Sequence, residues 1–336
     1  MKRVFTAVVL MVAAACAPLV VSACNRGGSQ QASPSGSSLS VAMIPKGTTH
    51  NFWQSIHAGA NRAGKELGVE VIWRGPLRED DRDSQVSEVE GFISRGVSGI
   101  ALAPLDEAAL VGPVNDAMGK KIPVVIFDSG LKGDNYVSFV ATDNTKGGQL
   151  GGERLIEAIG GKGKVVLLRY AEGHDSTTKR EEGFLTAMKA HPTVQVASAN
   201  QYVGTDVEEA YKRTESILSS YRKPDGSLSI DGIFCANESS SFAAMRVLKD
   251  NGWAGKLHFV GFDSSDNLVK GLQDGTLDGL VIQDPVKMGY LAIKTLVAHI
   301  KGQPVERRID TGVQVVTREN MEQPAMKELL HPDLSK

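Results

Sequence analysis

A chain of 336 residues has length for about two domains of roughly 100–200 residues each, and either could bury its own core. Its 37 Lys and Arg stand against 39 Asp and Glu, a near-balance with no long-range field for nucleic acid or anionic lipid to find. Charge therefore excludes polyanion binding and leaves a small ligand.

Lys2 and Arg3, the mostly apolar run 4–21 and the small residues after it read as an export signal, residues 1–23, and not as fold. Val21-Ser22-Ala23-Cys24 resembles a bacterial lipobox, so Cys24 is expected to carry lipid and to open the mature chain. Cys16 competes, but Leu19, Val20 and Val21 keep the chain apolar after it, whereas polar sequence follows Cys24. Pro18 argues against a spanning helix, which wants ~20 apolar residues. Residues 24–38, rich in Gly, Ser and Gln with Pro34, read as a tether with a reach of roughly 20 Å. Only Cys235 then remains in the folded part, so no internal disulfide is expected.

From residue 39, short apolar runs alternate with helical spacings. Residues 41–44 predict a strand, and Phe52, Ile56, Ala60, Ala63 and Leu67 recur at helical spacing until Gly68 stops the helix. A strand at 69–73, a helix at 83–95 with Val86, Val89, Phe92 and Ile93 inward, a strand at 99–103 and a helix at 108–118 lead to the strand 123–127, which ends on Asp128. The next strand, 137–142, ends on Asp143 and Asn144, with Asn144 placed to cap a helix reaching 159. The pattern then restarts, with strands at 164–169, 194–201, 232–236, 258–262 and 277–282 and helices at 177–190, 206–220, 240–249 and near Leu268. Strands separated by helices imply parallel sheets covered on both faces. Two such units in series suggest a duplicated architecture, although no residue-level repeat is evident. The amphipathic stretch 286–300 and the run 313–316 are one piece too many for the second unit, so the chain should cross back after Gln283 and return near Gly312. The expected fold is α/β: two doubly wound parallel-sheet lobes, 39–142 with 284–312 and 143–283 with 313–330, joined by three hinge crossovers.

An open α/β sheet presents its ligand groups just past the carboxyl ends of its strands. There the sequence places residues 46–53, Asp128, Asn237, Asp263 and Gln283. Carboxylates accept from adjacent hydroxyls, amides donate and accept, and aromatic faces cover the C–H side of a ring, so the set suits a neutral polyol. Each Asp or Asn alone usually caps the next helix; five such ends together favour a ligand.

These residues carry a family resemblance. From about residue 39 to 317 the chain resembles periplasmic sugar-binding proteins of the ribose and galactose type, the solute receptors of ABC importers. The landmarks are Phe52-Trp53, Phe127-Asp128, Thr142-Asp143-Asn144, Arg180 with Gly183-Phe184, Asn237-Glu238, Gly261-Phe262-Asp263 and Gln283. The resemblance implies a type I periplasmic binding protein fold and a permease as partner. It further implies that Phe52 and Trp53 sandwich a sugar ring, that Asp128, Asn237, Asp263 and Gln283 bond its hydroxyls, and that His50 adds a polar contact. Ribose receptors carry arginines at the positions of Ser129 and Thr178, so these two ligand-facing positions are altered and ribose is not the expected ligand. Ile44-Pro45-Lys46 with Gly75-Pro76 is also similar to rhamnose and autoinducer-2 receptors, in which a lysine at the Lys46 position reaches the ligand. Lys46 reads equally as an exposed loop lysine, and Asp175 as a ligand group or as the cap of helix 177–190.

Gly147, Gly148, Gly151 and Gly152 match neither phosphate-loop spacing and read as close helix packing. His57 and His174 lack partners at metal-ligand spacing, so no metal and no cofactor is expected. No cofactor fingerprint or nucleophile elbow supports an enzyme built on Asp128 and Asp263, and no catalytic residue is assigned. The export signal and tether occupy the place of a regulator's helix-turn-helix, which with the balanced charge excludes nucleic acid. The sequence thus describes a monomeric, lipid-anchored receptor of the cell envelope that closes on a monosaccharide; a chemotaxis or signalling sensor would use the same closure.

Overall fold

The computed structural model describes residues 39–334. Short, mostly apolar runs become strands, buried except at the edge strand β2: β1 (Ser40–Ile44), β2 (Glu70–Trp73), β3 (Gly99–Leu102), β4 (Val124–Phe127) and β5 (Ser138–Ala141), with α1 (Asn51–Leu67), α2 (Arg82–Arg95) and α3 (Val111–Gly119) between them. There follow α4 (Asn144–Ala158), β6 (Gly163–Arg169), α5 (Asp175–Ala190), β7 (Val194–Tyr202), α6 (Val207–Ser219), β8 (Gly232–Cys235), α7 (Glu238–Asp250), β9 (His258–Phe262), α8 (Asp266–Gln273) and β10 (Gly279–Gln283). The chain ends in α9 (Pro285–Ile300), β11 (Arg308–Asp310), β12 (Val313–Val316) and α10 (Pro324–Leu330).

Two sheets result, ordered β11-β5-β4-β3-β1-β2 and β12-β10-β9-β8-β6-β7. Pairing is parallel throughout except between β10 and β12. Because helices cover both faces, successive residues of the central strands are mostly apolar yet point into different cores. Val41 and Met43 pack with residues of α1 and α9, whereas Ala42 and Ile44 pack with residues of α2 and α3. The chain passes between the sheets after β5, after β10 and between β11 and β12. Two of these passages touch, Thr142 Oγ1 lying 3.2 Å from Thr311 Oγ1.

The duplication reaches individual residues, contrary to the sequence reading. In the two sheet orders β4 corresponds to β9, and these strands end in Phe127-Asp128-Ser129 and Phe262-Asp263-Ser264. Asp128 and Asp263 both adopt left-handed backbone, φ 61 and 66, and each N–H donates to the next strand, to Val140 O at 3.1 Å and Val281 O at 2.8 Å. After β5 and β10, Asp143 and Asp284 cap α4 and α9 by accepting from Lys146 N and Lys287 N. Gly148 and Gly289 then let these helices cross α5 and α1 backbone to backbone: an added Cβ would lie 1.8 Å from Arg180 O or 2.1 Å from Ile56 O.

Three details differ from the sequence reading. Asp143, not Asn144, caps α4, because the Asn144 side chain is committed to Arg180 Nε and to Asp128 O. The exposed three-residue β11 and the terminal α10 were not expected; β11 forms because the returning chain meets the free edge of β5. Among the described residues no helix is long and apolar enough to cross a membrane.

Candidate functional site

The strand ends converge with the first turns of α1, α5 and α7 on a narrow cavity between the two sheets. Of the expected residues, Lys46, His50, Phe52, Trp53, Asp128, Asn237, Asp263 and Gln283 line it. Glu79, Ser176, Thr177, Arg180 and Glu238 line it as well.

Glu79, in the loop between β2 and α2, organises the first lobe's side. Its Oε1 accepts from Trp53 Nε1 at 2.7 Å and faces His50 Nδ1 at 3.0 Å, and its Oε2 accepts from Tyr170 OH at 3.0 Å. Burial alone would raise this carboxyl, but the His50 hydrogen bond and the charges of His50 and Lys46 hold it well below the usual carboxylate range. On the second lobe's side, Gln283 Nε2 donates to Asp263 Oδ1 at 2.7 Å. Arg180 lies 3.8 Å from Asp263 Oδ2, donates to Asn144 Oδ1 and Ala236 O, and stacks on the Phe262 ring at 4.0 Å.

The cavity is charge-balanced. Lys46 pairs with Asp128 at 2.8 Å, His50 with Glu79 and Arg180 with Asp263. The remaining carboxyl, Glu238, is pushed up to about 7, first by burial, with His50 opposing the shift and Asp263 adding to it. Four carboxyls and three cations thus present little net charge near neutrality, so an ionic ligand finds no surplus of counter-charge.

A periplasmic binding protein domain model matches residues 41–304. The chain belongs to the periplasmic binding protein family. Among relatives of this binding protein, the ribose import binding protein of Haemophilus influenzae is 28% identical over 277 residues, covering 82% of this chain and 91% of that one. The D-allose-binding periplasmic protein of Escherichia coli is 28% identical over 264 residues, covering 76% and 83%. An ABC transporter solute-binding protein from Agrobacterium vitis, solved with bound D-fucose, is 35% identical at TM-score 0.81, covering 87% of this chain and all of that one. A carbohydrate transporter solute-binding protein from Agrobacterium radiobacter, in complex with D-arabinose, is 32% identical at TM-score 0.83, covering 88% and all.

In this periplasmic binding protein the lobes are in contact around the cavity. Lys46 Nζ donates to Ser176 Oγ at 2.9 Å, Ser176 N to Ser129 Oγ at 3.1 Å, and Gly130 N to Asp175 Oδ2 at 2.9 Å. Ser129 and Asp175 therefore join the lobes rather than line the cavity, and Asp175 is the first residue of α5 instead of its cap. Thr178 is half-buried on α5, away from the cavity. Lys46 is 3% exposed, which overturns its reading as a solvent lysine. The Phe52 and Trp53 rings meet edge to face, centroids 5.0 Å apart and planes at 81°. No gap between their faces can hold a sugar, so the expected sandwich does not form.

The residues missed by sequence reading were hidden for local reasons. Glu79 sits in a polar loop beside Asp80 and Asp81, where one acidic residue looks like the next. Ser176 and Thr177 open α5 as Phe52 and Trp53 open α1, since Gly183 and Gly59 make corresponding helix crossings; that correspondence was the available signal.

Glu238 gives a pH test. Its raised carboxyl means the folded protein holds a proton that the unfolded chain has lost, so its charge destabilises the fold increasingly from about pH 4.5 to about pH 7. His174, buried and pushed down to about 4 by burial and then by Lys46, acts oppositely as pH falls below about 6.5, so the parent profile is a sum. Glu238→Gln isolates one contribution. Its stability relative to the parent should rise by up to about 3 kcal/mol between pH 4.5 and 7. Denaturant melts at both pH values check this, and a constant difference would contradict it.

Proposed function

We propose that the chain is the solute receptor of an ABC importer, acting outside the cytoplasm, and that it binds one neutral monosaccharide or closely related polyol between its lobes before a permease takes it. The family is one of binding proteins rather than enzymes. The observation that carries the reading is the pair of carboxylates, Asp128 and Asp263, at corresponding strand ends in strained left-handed backbone, facing one charge-balanced cavity. Non-glycine residues in this region cost about 1–3 kcal/mol each and cluster at functional sites. Sugars bound in the related solute-binding proteins support it. Ligand contacts to both lobes would favour the form with lobes together, and the three passages between residues 39–142 with 284–312 and residues 143–283 with 313–330 would serve as hinges. The receptor acts as a monomer in this reading.

A thermal-shift panel of neutral monosaccharides, polyols, amino acids and sugar acids on the mature chain tests it. At a hundredfold excess over Kd the bound sugar should add about 2.7 kcal/mol, a shift of roughly 5–10 °C. A response confined to amino acids or anions would overturn the reading.

Cys24 lies outside the described residues. The proposed lipid anchor rests on the lipobox and the tether, and acyl chains contribute ~0.8 kcal/mol per buried CH₂. Cys24→Ala should leave the detergent phase on partitioning while Cys16→Ala stays in it; the reverse would assign the anchor to Cys16.

A further inference from the structure

A second space adjoins the cavity across Phe52, Asp263 and Gln283. It is small and bordered by Ser55 on α1, Ser264 after β9, Ile282 and Pro285. Its lining joins apolar surface, from the Phe52 ring, Ile282 and Pro285, with two hydroxyls. Ser55 Oγ donates to Asn51 O at 3.1 Å, which leaves its lone pairs as acceptors. No Lys, Arg or His lines this space, whereas the Asp263 carboxylate does, so an anionic substituent is rejected there. At the junction, Gln283 is 2% exposed; its Nε2 serves Asp263, but its Oε1 is buried without a hydrogen-bond partner among the described residues. A buried acceptor left unmet costs about 1–3 kcal/mol, which a hydroxyl placed at the junction would recover.

We propose that the second space is a side chamber that takes the exocyclic carbon of the sugar ring, a hydroxymethyl or methyl group, so that the receptor selects hexoses and 6-deoxyhexoses over pentoses of the same ring configuration. This rests on the monosaccharide reading above. The ring occupies the main cavity, and a hydroxyl beside the ring–substituent bond donates to Gln283 Oε1. The substituent's carbon contacts Phe52 and Ile282. Its hydroxyl, when present, meets Ser55 and Ser264.

The test is calorimetry on matched pairs that differ only in the exocyclic group: D-galactose with L-arabinose, D-glucose with D-xylose, and D-allose with D-ribose. On the pair that binds best, the parent should favour the hexose by about tenfold or more, the usual worth of one well-packed carbon. Ser264→Leu and Ser55→Leu, on different elements, fill the chamber from two sides. In each variant hexose affinity should fall at least about tenfold while pentose affinity changes by less than about threefold. A parent that binds the pentose as tightly as the hexose overturns the proposal, as do variants that weaken both sugars equally. Binding of none of the six sugars, with a thermal-shift response confined to amino acids or anions, would remove the monosaccharide reading itself, and the chamber's role with it.

Discussion

Replacing Asp263 by glycine should remove tight sugar binding and leave the fold about as stable as the parent. A carboxylate accepting two hydroxyls contributes hydrogen bonds of about 1.5–3 kcal/mol each, so its loss should cost roughly 3–5 kcal/mol, about 10²- to 10⁴-fold in affinity. Stability is spared for three reasons. Glycine adopts φ 66 without strain. The carboxylate is penalised by burial, which raises its pKa despite Arg180. Arg180 retains Asn144, Ala236 O and the Phe262 ring. Gln283 Nε2 loses its acceptor, which offsets part of the gain. Asp128→Ala should lose similar affinity but also destabilise the fold, because it strands Lys46, a buried ammonium 2.8 Å from the carboxylate, at a cost of about 3–5 kcal/mol. Calorimetry and denaturant melts on both variants check the pair of outcomes. Should Asp263→Gly bind within about threefold of the parent, less than ~1 kcal/mol, the strand-end carboxylates are structural and the site assignment fails.

Glu79→Ala should destabilise the fold about as much as Asp128→Ala. Three donors converge on this ionised carboxylate, and two of them, Trp53 at 2% and Tyr170 at 1% exposure, have no route to water. Removing one partner of a buried ionic cluster costs about 3–5 kcal/mol, and affinity should fall with it because Trp53 and His50 lose their positions in the cavity wall. The depressed carboxyl also fixes the pH window. The stability it contributes is complete above the unfolded value near 4.5 and is lost as pH falls toward its folded value, well below the usual carboxylate range. Glu79→Gln should retain part of the network and lose this acid dependence. A Glu79→Ala variant within about 1 kcal/mol of the parent, the size of an ordinary surface substitution effect, would contradict the role given to Glu79.

How far the sequence reveals this depends on what each residue answers to. Strands such as Val124–Phe127 and helices such as Asn51–Leu67 are legible because burial on both sides of a parallel sheet demands apolar runs, and Gly68 marks a helix end by its left-handed φ of 65. Strand-end ligands are legible because the architecture puts functional groups there. Cross-lobe contacts are not. Ser129 reads as a ligand group from a family pattern and Asp175 as a ligand group or a helix cap, yet their partners lie 47 and 45 residues away, and only the folded chain shows them meeting. The Phe52-Trp53 dipeptide signals aromatic surface in the cavity, but the relative tilt of two adjacent rings is set by Glu79 pulling on the indole N–H, a contact 26 residues long. The repeat of Phe-Asp-Ser was hidden because the two lobes keep only the residues that serve backbone strain, caps and helix crossings, and diverge elsewhere.

A crystal structure of the mature chain with the best-shifting neutral sugar tests the central claim most directly. The ring should lie between the lobes, with hydroxyls at about 2.5–3.2 Å from carboxylate oxygens of both Asp128 and Asp263. A sugar bound by one lobe alone, or outside the cavity, would contradict it.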